Sequence, residues 1–302
     1  MLTNDFLGDN IARLGFGAMR LPVIDGGASN IDQAMLDTMV DTAIKAGVNY
    51  FDTAYPYHGG MSEIALGRSL ARYPRDRYFF ASKYPGHQIS DTYDPAAIFE
   101  EQLTKCGVEY FDFYLLHNIY EASIEVYLDE QWGIADYFVE QKKNGRIRHL
   151  GFSCHGRPET LKRFLDYGAR KYAELEQRDP ETAALFAGNN IMEFCQIQLN
   201  YLDWTLQDAA AKTALLESMN IPIVVMEPLR GGKLAHLNDA QMQQLNASAS
   251  DGANPSACSA VEWSFRWLLG IPSVKTILSG MSDLAQVEEN CRIFQESAPL
   301  SE

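Results

Sequence analysis

The sequence has 302 residues, 46% of them hydrophobic, and a formal net charge of −15 that results from 25 basic and 40 acidic side chains. A chain of this length and composition buries a large core, which excludes a disordered or fibrous protein. The negative charge repels phosphate backbones and anionic lipids, so we expect neither nucleic acid nor a membrane as the main partner. The segment MLTNDFLGDN lacks a signal-peptide pattern, and no stretch reaches the ~20 apolar residues that span a bilayer. We therefore expect a cytoplasmic protein.

Short apolar or aromatic runs alternate along the chain with longer amphipathic stretches, a pattern typical of repeated βα units around a parallel sheet. We predict eight strands, over residues 14–18, 48–52, 78–83, 111–117, 149–153, 194–198, 222–226 and 274–279. We predict helices between them, over residues 32–46, 62–72, 95–106, 132–144, 158–168, 205–219, 256–269 and 283–294.

Eight such units favour a closed barrel over an open doubly wound sheet. The segment RLGFGAM also lacks the third glycine of a dinucleotide-binding G-x-G-x-x-G turn. No linker or internal repeat separates the units, so we predict one domain over residues 1–302. We expect an irregular surface excursion over residues 230–255, on the face where barrel enzymes perform chemistry. Residues 169–193 follow a helix and are expected at the opposite face.

Cysteine and histidine spacing gives no sign of disulfides or of a metal centre. The five cysteines are widely spaced without a C-x-x-C pair, which indicates reduced thiols in a core. The six histidines contain no H-E-x-x-H and no H-x-H pattern, so we expect no protein-bound catalytic metal.

Polar and titratable residues stand at the carboxyl ends of three predicted strands. Asp52, Lys83 and His117 each end a strand, and Tyr57 follows Asp52 on the same loop. Because the carboxyl ends of parallel barrel strands open on one rim, we expect these side chains to converge. Taken singly, each also has an ordinary structural interpretation, such as a helix cap or a half-buried tyrosine.

Seven segments resemble the aldo-keto reductase family, in family order and over nearly the whole chain. They are FDTAYPYHGGMSEIALG, ASKYPG, FDFYLLH, RHLGFS, QLNY, MEPLRGG and ILSGMSDLAQVEEN. The resemblance implies an α/β fold, a (β/α)8 TIM barrel with an N-terminal β-hairpin and extended βα loops. It also implies an oxidoreductase that passes hydride between a nicotinamide nucleotide and a small carbonyl compound or alcohol.

The family's catalytic Asp, Tyr, Lys and His match Asp52, Tyr57, Lys83 and His117. In that family the tyrosine is the general acid, the lysine lowers its pKa, the aspartate pairs with the lysine, and the histidine orients the substrate. Elementary electrostatics is compatible with these roles. An ammonium ~4 Å away supplies about 4 kcal/mol at an effective dielectric of ~20, enough to bring a tyrosine pKa from ~10 to near 7. A buried lysine needs a carboxylate to stay charged, and an uncharged histidine can donate a hydrogen bond to a carbonyl.

The resemblance also implies residues that hold the cofactor. Ser153 and Gln198 would bind the nicotinamide carboxamide, and Met226 replaces the aromatic residue that commonly stacks on the ring. Cys154 stands where the family often has asparagine. The segment EPLRGGK would wrap the pyrophosphate through Pro228, Leu229, Gly231 and Lys233. Without the resemblance, the same segment is an ordinary turn.

The adenosine end is assigned by resemblance to Gly280, Ser282, Gln286, Glu289 and Asn290. Ser282 would cap a helix and touch a 2′-phosphate, or merely cap the helix. Many NADP-preferring relatives have basic residues at the positions of Gly280 and Gln286, and their absence weakens discrimination. We expect NADPH to bind somewhat better than NADH, with NADH as the alternative cofactor, because Ser282 remains and Lys233 or Arg266 is expected nearby.

Three functional interpretations remain open at this stage. The first is an active reductase of a small carbonyl substrate. The second is a cofactor-binding redox sensor or regulatory subunit with little turnover. The third, a metal-dependent hydrolase that uses His117 and His155, is disfavoured by the ligand spacing. Only eight residues follow the last predicted helix, so we expect an open pocket, and a partner protein or a longer C-terminal tail stays open. Candidate pocket walls, or ordinary packing, are Tyr55, Tyr84, Tyr120, Trp132 and Tyr201.

Overall fold

The computed structural model describes residues 1–88, 90–248 and 258–300. Eight parallel strands form a closed barrel, in which each strand pairs with the next along the chain and the last pairs with the first. They are β3 (Leu14–Gly17), β4 (Tyr50–Asp52), β5 (Phe79–Tyr84), β6 (Phe111–Ile119), β7 (Ile147–Cys154), β8 (Cys195–Gln198), β9 (Ile223–Met226) and β10 (Val274–Gly280). The eight predicted strands and the closed barrel are confirmed.

An antiparallel hairpin precedes the barrel, as expected. It consists of β1 (Thr3–Phe6) and β2 (Asp9–Ala12), which turn at Leu7 and Gly8, both with positive φ. Phe6 is fully buried, and its ring stacks on that of Phe113 at 4.9 Å between centroids. The hairpin therefore packs against side chains of the barrel interior.

The helices cover the outside of the barrel. They are α1 (Gln33–Ala46), α2 (Met61–Leu70), α3 (Pro95–Cys106), α4 (Ile124–Leu128), α5 (Ile134–Lys143), α6 (Pro158–Arg178), α7 (Pro180–Ala183), α8 (Asp203–Leu206), α9 (Ala209–Ser218), α10 (Asp239–Ser248), α11 (Ala260–Leu269) and α12 (Leu284–Glu296). Several begin at side-chain caps; Asp32, for example, accepts a hydrogen bond from the Met35 N–H, and Asp94 from the Ala97 N–H. No helix among the described residues is long and apolar enough to cross a membrane.

Four predicted segments need correction or restriction. The helix predicted over 158–168 continues to Arg178, because Leu175 is still buried and a proline does not follow until Pro180. The helix predicted over 205–219 is broken at Asp208, which has a φ of 51°. The predicted irregular excursion contains α10, and its residues 249–255 lie outside the described part. Residues 256–257 of the predicted helix over 256–269 also lie outside it.

Candidate active site

Strand ends bring the four predicted catalytic side chains together. Asp52 ends β4, Lys83 lies near the end of β5, and His117 lies near the end of β6. Tyr57 begins a short 3-10 turn, Tyr57–Gly60, in the loop that follows β4. All four lie at the carboxyl end of the barrel, where parallel strands place their functional loops.

Lys83 and Asp52 form a buried ion pair. The Lys83 Nζ donates to Asp52 Oδ1 at 2.6 Å and to the Thr53 carbonyl oxygen at 2.7 Å. Lys83 is fully buried, and Asp52 is 2% exposed. Burial lowers the pKa of Lys83, but the Asp52 carboxylate and Tyr57 outweigh it, so the pKa is raised. Lys83 therefore stays charged inside the barrel.

The Tyr57 ring faces the Lys83 member of this pair. The Lys83 Nζ is 4.9 Å from the centroid of the Tyr57 ring. Burial raises the pKa of Tyr57, and the lowering effect of Lys83 does not cancel it. This differs from our expectation that Lys83 brings the pKa near 7, because burial penalises the phenolate as well. The phenol is consequently protonated at neutral pH, as a proton donor must be.

His117 is a neutral imidazole beside Tyr57. Its ring meets the Tyr57 ring edge-on at 5.8 Å between centroids, and it meets the His87 ring at 4.5 Å. His117 is 8% exposed, and burial, followed by Lys83 and the neighbouring histidines, places its pKa well below the usual value. Its Nδ1 has no hydrogen-bond partner among the described residues. An uncharged ring with a free polar atom is suited to orienting a substrate oxygen.

A cavity of about 420 Å³ opens in front of these groups. Asp52, Tyr57 and His117 line it, and so do His87, Asn118 and His155. Sequence analysis did not select His87 or Asn118, and it named His155 only as a metal ligand of the disfavoured hydrolase. Burial lowers the pKa of His87 and of His155. These residues follow or end barrel strands, so the strand-end rule that identified His117 was also available for them.

The predicted carboxamide contacts are only partly arranged as expected. Gln198 does not line the cavity, because its Nε2 donates to Asp203 Oδ2 at 2.8 Å. Gln196 lines it instead, and its buried Oε1 has no partner among the described residues. Ser153 is buried and accepts a hydrogen bond from the Asn118 N–H at 2.7 Å. Met226 lines the cavity, as predicted.

A second cavity of about 390 Å³ adjoins the first. Eight predicted cofactor residues line it: Pro228, Leu229, Gly231, Gly280, Ser282, Gln286, Glu289 and Asn290. Lys233 is exposed and lies outside it. Arg20 and Glu227 line both cavities and form an ion pair at 3.0 Å. The two cavities therefore share one boundary and form a continuous candidate site.

The predicted aromatic walls are wrong for this cavity. None of the residues Tyr55, Tyr84, Tyr120, Trp132 and Tyr201 is among the described residues that line it. Tyr84 is buried in the core, and the Tyr55 hydroxyl donates to Glu101 at 3.0 Å. Within residues 1–88, 90–248 and 258–300, no group of three or more His, Cys, Asp or Glu side chains is placed to hold a metal ion.

The model of the aldo/keto reductase family matches residues 13–302. The chain belongs to this family. An L-galactose dehydrogenase of Arabidopsis thaliana is 24% identical over 302 residues, which cover 96% of this chain and 86% of that protein. An NADH-specific methylglyoxal reductase of Escherichia coli strain K12 is 26% identical over 179 residues, 52% of each protein.

Solved structures show the same fold. The holo form of the aldo-keto reductase AKR11C1 from Bacillus halodurans superimposes with a TM-score of 0.70 at 20% identity, over 97% of this reductase and 90% of that chain. Family membership makes this protein an oxidoreductase, and it supports carbonyl reduction with a nicotinamide nucleotide in general terms.

Proposed function

We propose that this reductase converts the carbonyl group of a small, polar aldehyde or ketone to an alcohol, or the reverse, with Tyr57 as general acid. The observation that carries the proposal is the cluster of Tyr57, His117 and the Lys83–Asp52 ion pair at the edge of one cavity. We also propose that residues 1–302 act as one domain in the cytoplasm.

The residues of the two cavities fit a nicotinamide nucleotide. The unpartnered Oε1 of Gln196 is a buried acceptor that an amide N–H of the carboxamide would satisfy. Gly231 and Gly232, with φ values of 65° and 89°, adopt a backbone that places N–H groups near a phosphate without side-chain obstruction. We therefore propose Gln196, in place of Gln198, as the carboxamide contact, with Ser153 beside it on the neighbouring strand β7. A reduced nicotinamide, when bound, supplies the hydride.

The four clustered side chains have separate roles in the proposed proton transfer to the carbonyl oxygen. Protonated Tyr57 donates its hydroxyl hydrogen to the carbonyl oxygen as negative charge develops there. The Lys83 ammonium stabilises the phenolate left behind, and Asp52 holds that ammonium in place. Neutral His117 donates a hydrogen bond that orients the substrate oxygen without competing as an acid.

Three polar side chains of the first cavity, which apolar residues such as Met226 and Leu278 also line, favour a substrate with hydrogen-bonding groups. His87, Asn118 and His155 present hydrogen-bonding groups around the reacting position, whereas the predicted aromatic walls are elsewhere. Hydroxyl-bearing or dicarbonyl compounds match such a lining better than bulky aromatic aldehydes. The names of the two relatives, an L-galactose dehydrogenase and a methylglyoxal reductase, are in line with this substrate class.

The test is Tyr57→Phe, with Tyr55→Phe as a matched control. Tyr55 is on the same loop, but its hydroxyl binds Glu101 outside the cavity. Because Tyr57→Phe removes only the transferable proton, we expect turnover to fall by at least ~10² while nucleotide affinity stays within about twofold. The measurements are nucleotide oxidation with a panel of small polar carbonyl compounds and fluorescence titration of the nucleotide.

Two results would contradict the proposal. Full activity in Tyr57→Phe would exclude the assigned general acid. A wild-type protein that binds the nucleotide but reduces no carbonyl compound would favour the redox sensor or regulatory subunit instead.

A further inference from the structure

We propose that the adenosine end of the second cavity selects NADH over NADPH, with Asp283 as the residue that disfavours a 2′-phosphate. The inference rests on the proposed function, since it assumes that a nicotinamide nucleotide occupies the two cavities. It reverses the modest NADPH preference expected from the sequence. Three features carry it: the hydrogen bonds at the start of α12, the placement of the cations, and the charge of the lining.

At the start of α12, residues 282, 283 and 286 form hydrogen bonds with one another. Asp283 Oδ1 accepts a hydrogen bond from the Gln286 N–H at 2.9 Å, and Gln286 Nε2 donates to Asp283 Oδ2 at 2.7 Å. The Ser282 N–H donates to Gln286 Oε1 at 2.9 Å. The Ser282 N–H, the Gln286 N–H and the Gln286 amide are therefore used locally, and the Asp283 carboxylate holds the favourable position at the positive end of the helix.

Lys233 and Arg266, the two cations that were expected to favour NADPH, do not compensate for the Asp283 carboxylate. Lys233 is exposed outside the cavity. The Arg266 Nε donates to the Ala298 carbonyl oxygen at 2.9 Å, and its Nη1 donates to Cys258 Sγ at 3.2 Å. Residues 89, 249–257 and 301–302, which the structure does not describe, include no lysine, arginine or histidine.

The described lining of the second cavity is weakly basic and partly acidic. Its basic residues are Arg20 and His236, and Arg20 is paired with Glu227. Glu289 lines the cavity and accepts a hydrogen bond from the Ser259 hydroxyl at 3.2 Å. A 2′-phosphate brings a charge of about −1.5 to −2. That charge would face Glu289 and the nearby Asp283, whereas a 2′-hydroxyl can donate to a carboxylate.

The decisive experiment is a pair of titrations that requires no turnover. NADH and NADPH are each titrated against the purified full-length protein by nucleotide fluorescence, without a carbonyl substrate. We expect NADH to bind at least about tenfold more tightly, a difference of ~1.4 kcal/mol. Tighter binding of NADPH, or equal binding of the two, would overturn this inference and leave the proposed function standing. Failure of both nucleotides to bind would overturn the proposed function and this inference together.

Two variants test the role assigned to the start of α12, and a third variant is their control. Asp283→Asn keeps the cap and removes the charge, so NADPH affinity should rise severalfold while NADH affinity is nearly unchanged. Gln286→Arg should raise NADPH affinity further, because arginine binds phosphate in a bidentate manner. Glu288→Gln is the control, since Glu288 is exposed on the same helix and does not line the cavity. An equal gain in Glu288→Gln and Asp283→Asn would show a general charge effect and contradict the assignment.

Discussion

At the scale of single residues, burial has different consequences for the members of the proposed catalytic cluster. It raises the pKa of Tyr57 and of Asp52, and it keeps His117 neutral. Lys83 is the exception, because the adjacent carboxylate more than offsets its desolvation. The cluster thus combines a protonated phenol, a neutral imidazole and one compensated ammonium within a few ångströms.

The ion pair predicts a large loss of stability when one partner is removed. Asp52→Asn leaves the Lys83 charge buried without a counter-charge, which should reduce the free energy of unfolding by about 3–5 kcal/mol. The double variant Asp52→Asn/Lys83→Met should recover part of that loss, because no isolated charge remains. Urea denaturation measures both variants.

An exposed pair provides the control for this comparison. Lys162 and Asp166 are 2.7 Å apart, with both side chains more than half exposed. Asp166→Asn should change the free energy of unfolding by no more than about 0.5 kcal/mol. If Asp52→Asn lowers the free energy of unfolding no more than Asp166→Asn does, the Lys83–Asp52 ion pair does not make the contribution to stability proposed for it.

At the scale of elements, strand β8 carries two glutamines, Gln196 and Gln198, whose side chains have different surroundings. Residues two apart on a strand share a face, so alternation alone places Gln196 and Gln198 together. Gln196 lies inside the barrel, with its Oε1 unpartnered among the described residues. Gln198 is the last residue of the strand, and its amide turns to Asp203 at the start of α8.

This arrangement predicts separate phenotypes for the two glutamines. Gln196→Ala removes the proposed carboxamide contact and should weaken nucleotide binding by about 1–3 kcal/mol, roughly 5- to 150-fold in Kd. Gln198→Ala should change nucleotide affinity little and lower the melting temperature slightly, because only the contact with Asp203 is lost. Fluorescence titration and thermal unfolding of both variants check this. The reverse pattern would restore the original assignment of Gln198.

At the scale of the whole molecule, the aromatic core and the candidate site lie at opposite ends of the barrel. The hairpin and aromatic residues such as Phe113 and Phe194 pack at one end, where the rings of Phe6 and Phe194 meet edge-on at 5.7 Å. The buried histidine His117 lies at the other end, with His87 and His155 along the first cavity. The burial of His117 also makes the stability of the whole fold depend on pH.

The pH dependence has a definite sign. His117 has a lowered pKa in the folded protein, whereas in the unfolded chain it binds a proton near pH 6.5. The unfolded state therefore gains protons first as the pH falls, and the free energy of unfolding should decrease below about pH 6.5. His117 alone accounts for at most about 1.4 kcal/mol per pH unit.

Variants isolate this contribution from the other acid effects. Urea denaturation of His117→Gln between pH 5 and 7 should show a shallower loss of stability than the wild type. His236→Gln is the control, since His236 is exposed and should leave the slope unchanged. If the free energy of unfolding varies with pH equally in the wild type and in His117→Gln, the pH dependence does not come from the burial of His117.

The sequence alone determined the features that depend on local periodicity and on the order of motifs along the chain. Alternating βα units predicted the eight strands, and strand ends predicted that Asp52, Lys83 and His117 share one rim, because parallel strands all end on the same side. The family resemblance supplied Tyr57 and eight residues of the second cavity. These predictions needed no knowledge of which side chains contact one another.

Only the tertiary structure decided questions in which two groups compete for one partner or one space. Period-two alternation cannot distinguish Gln196 from Gln198, and the contact with Asp203 separates them. The sequence could not show that burial outweighs Lys83 in setting the pKa of Tyr57, because desolvation depends on every neighbouring atom. It also could not show that Gln286 bonds to Asp283, since side-chain hydrogen bonds depend on local geometry that motif spacing does not specify.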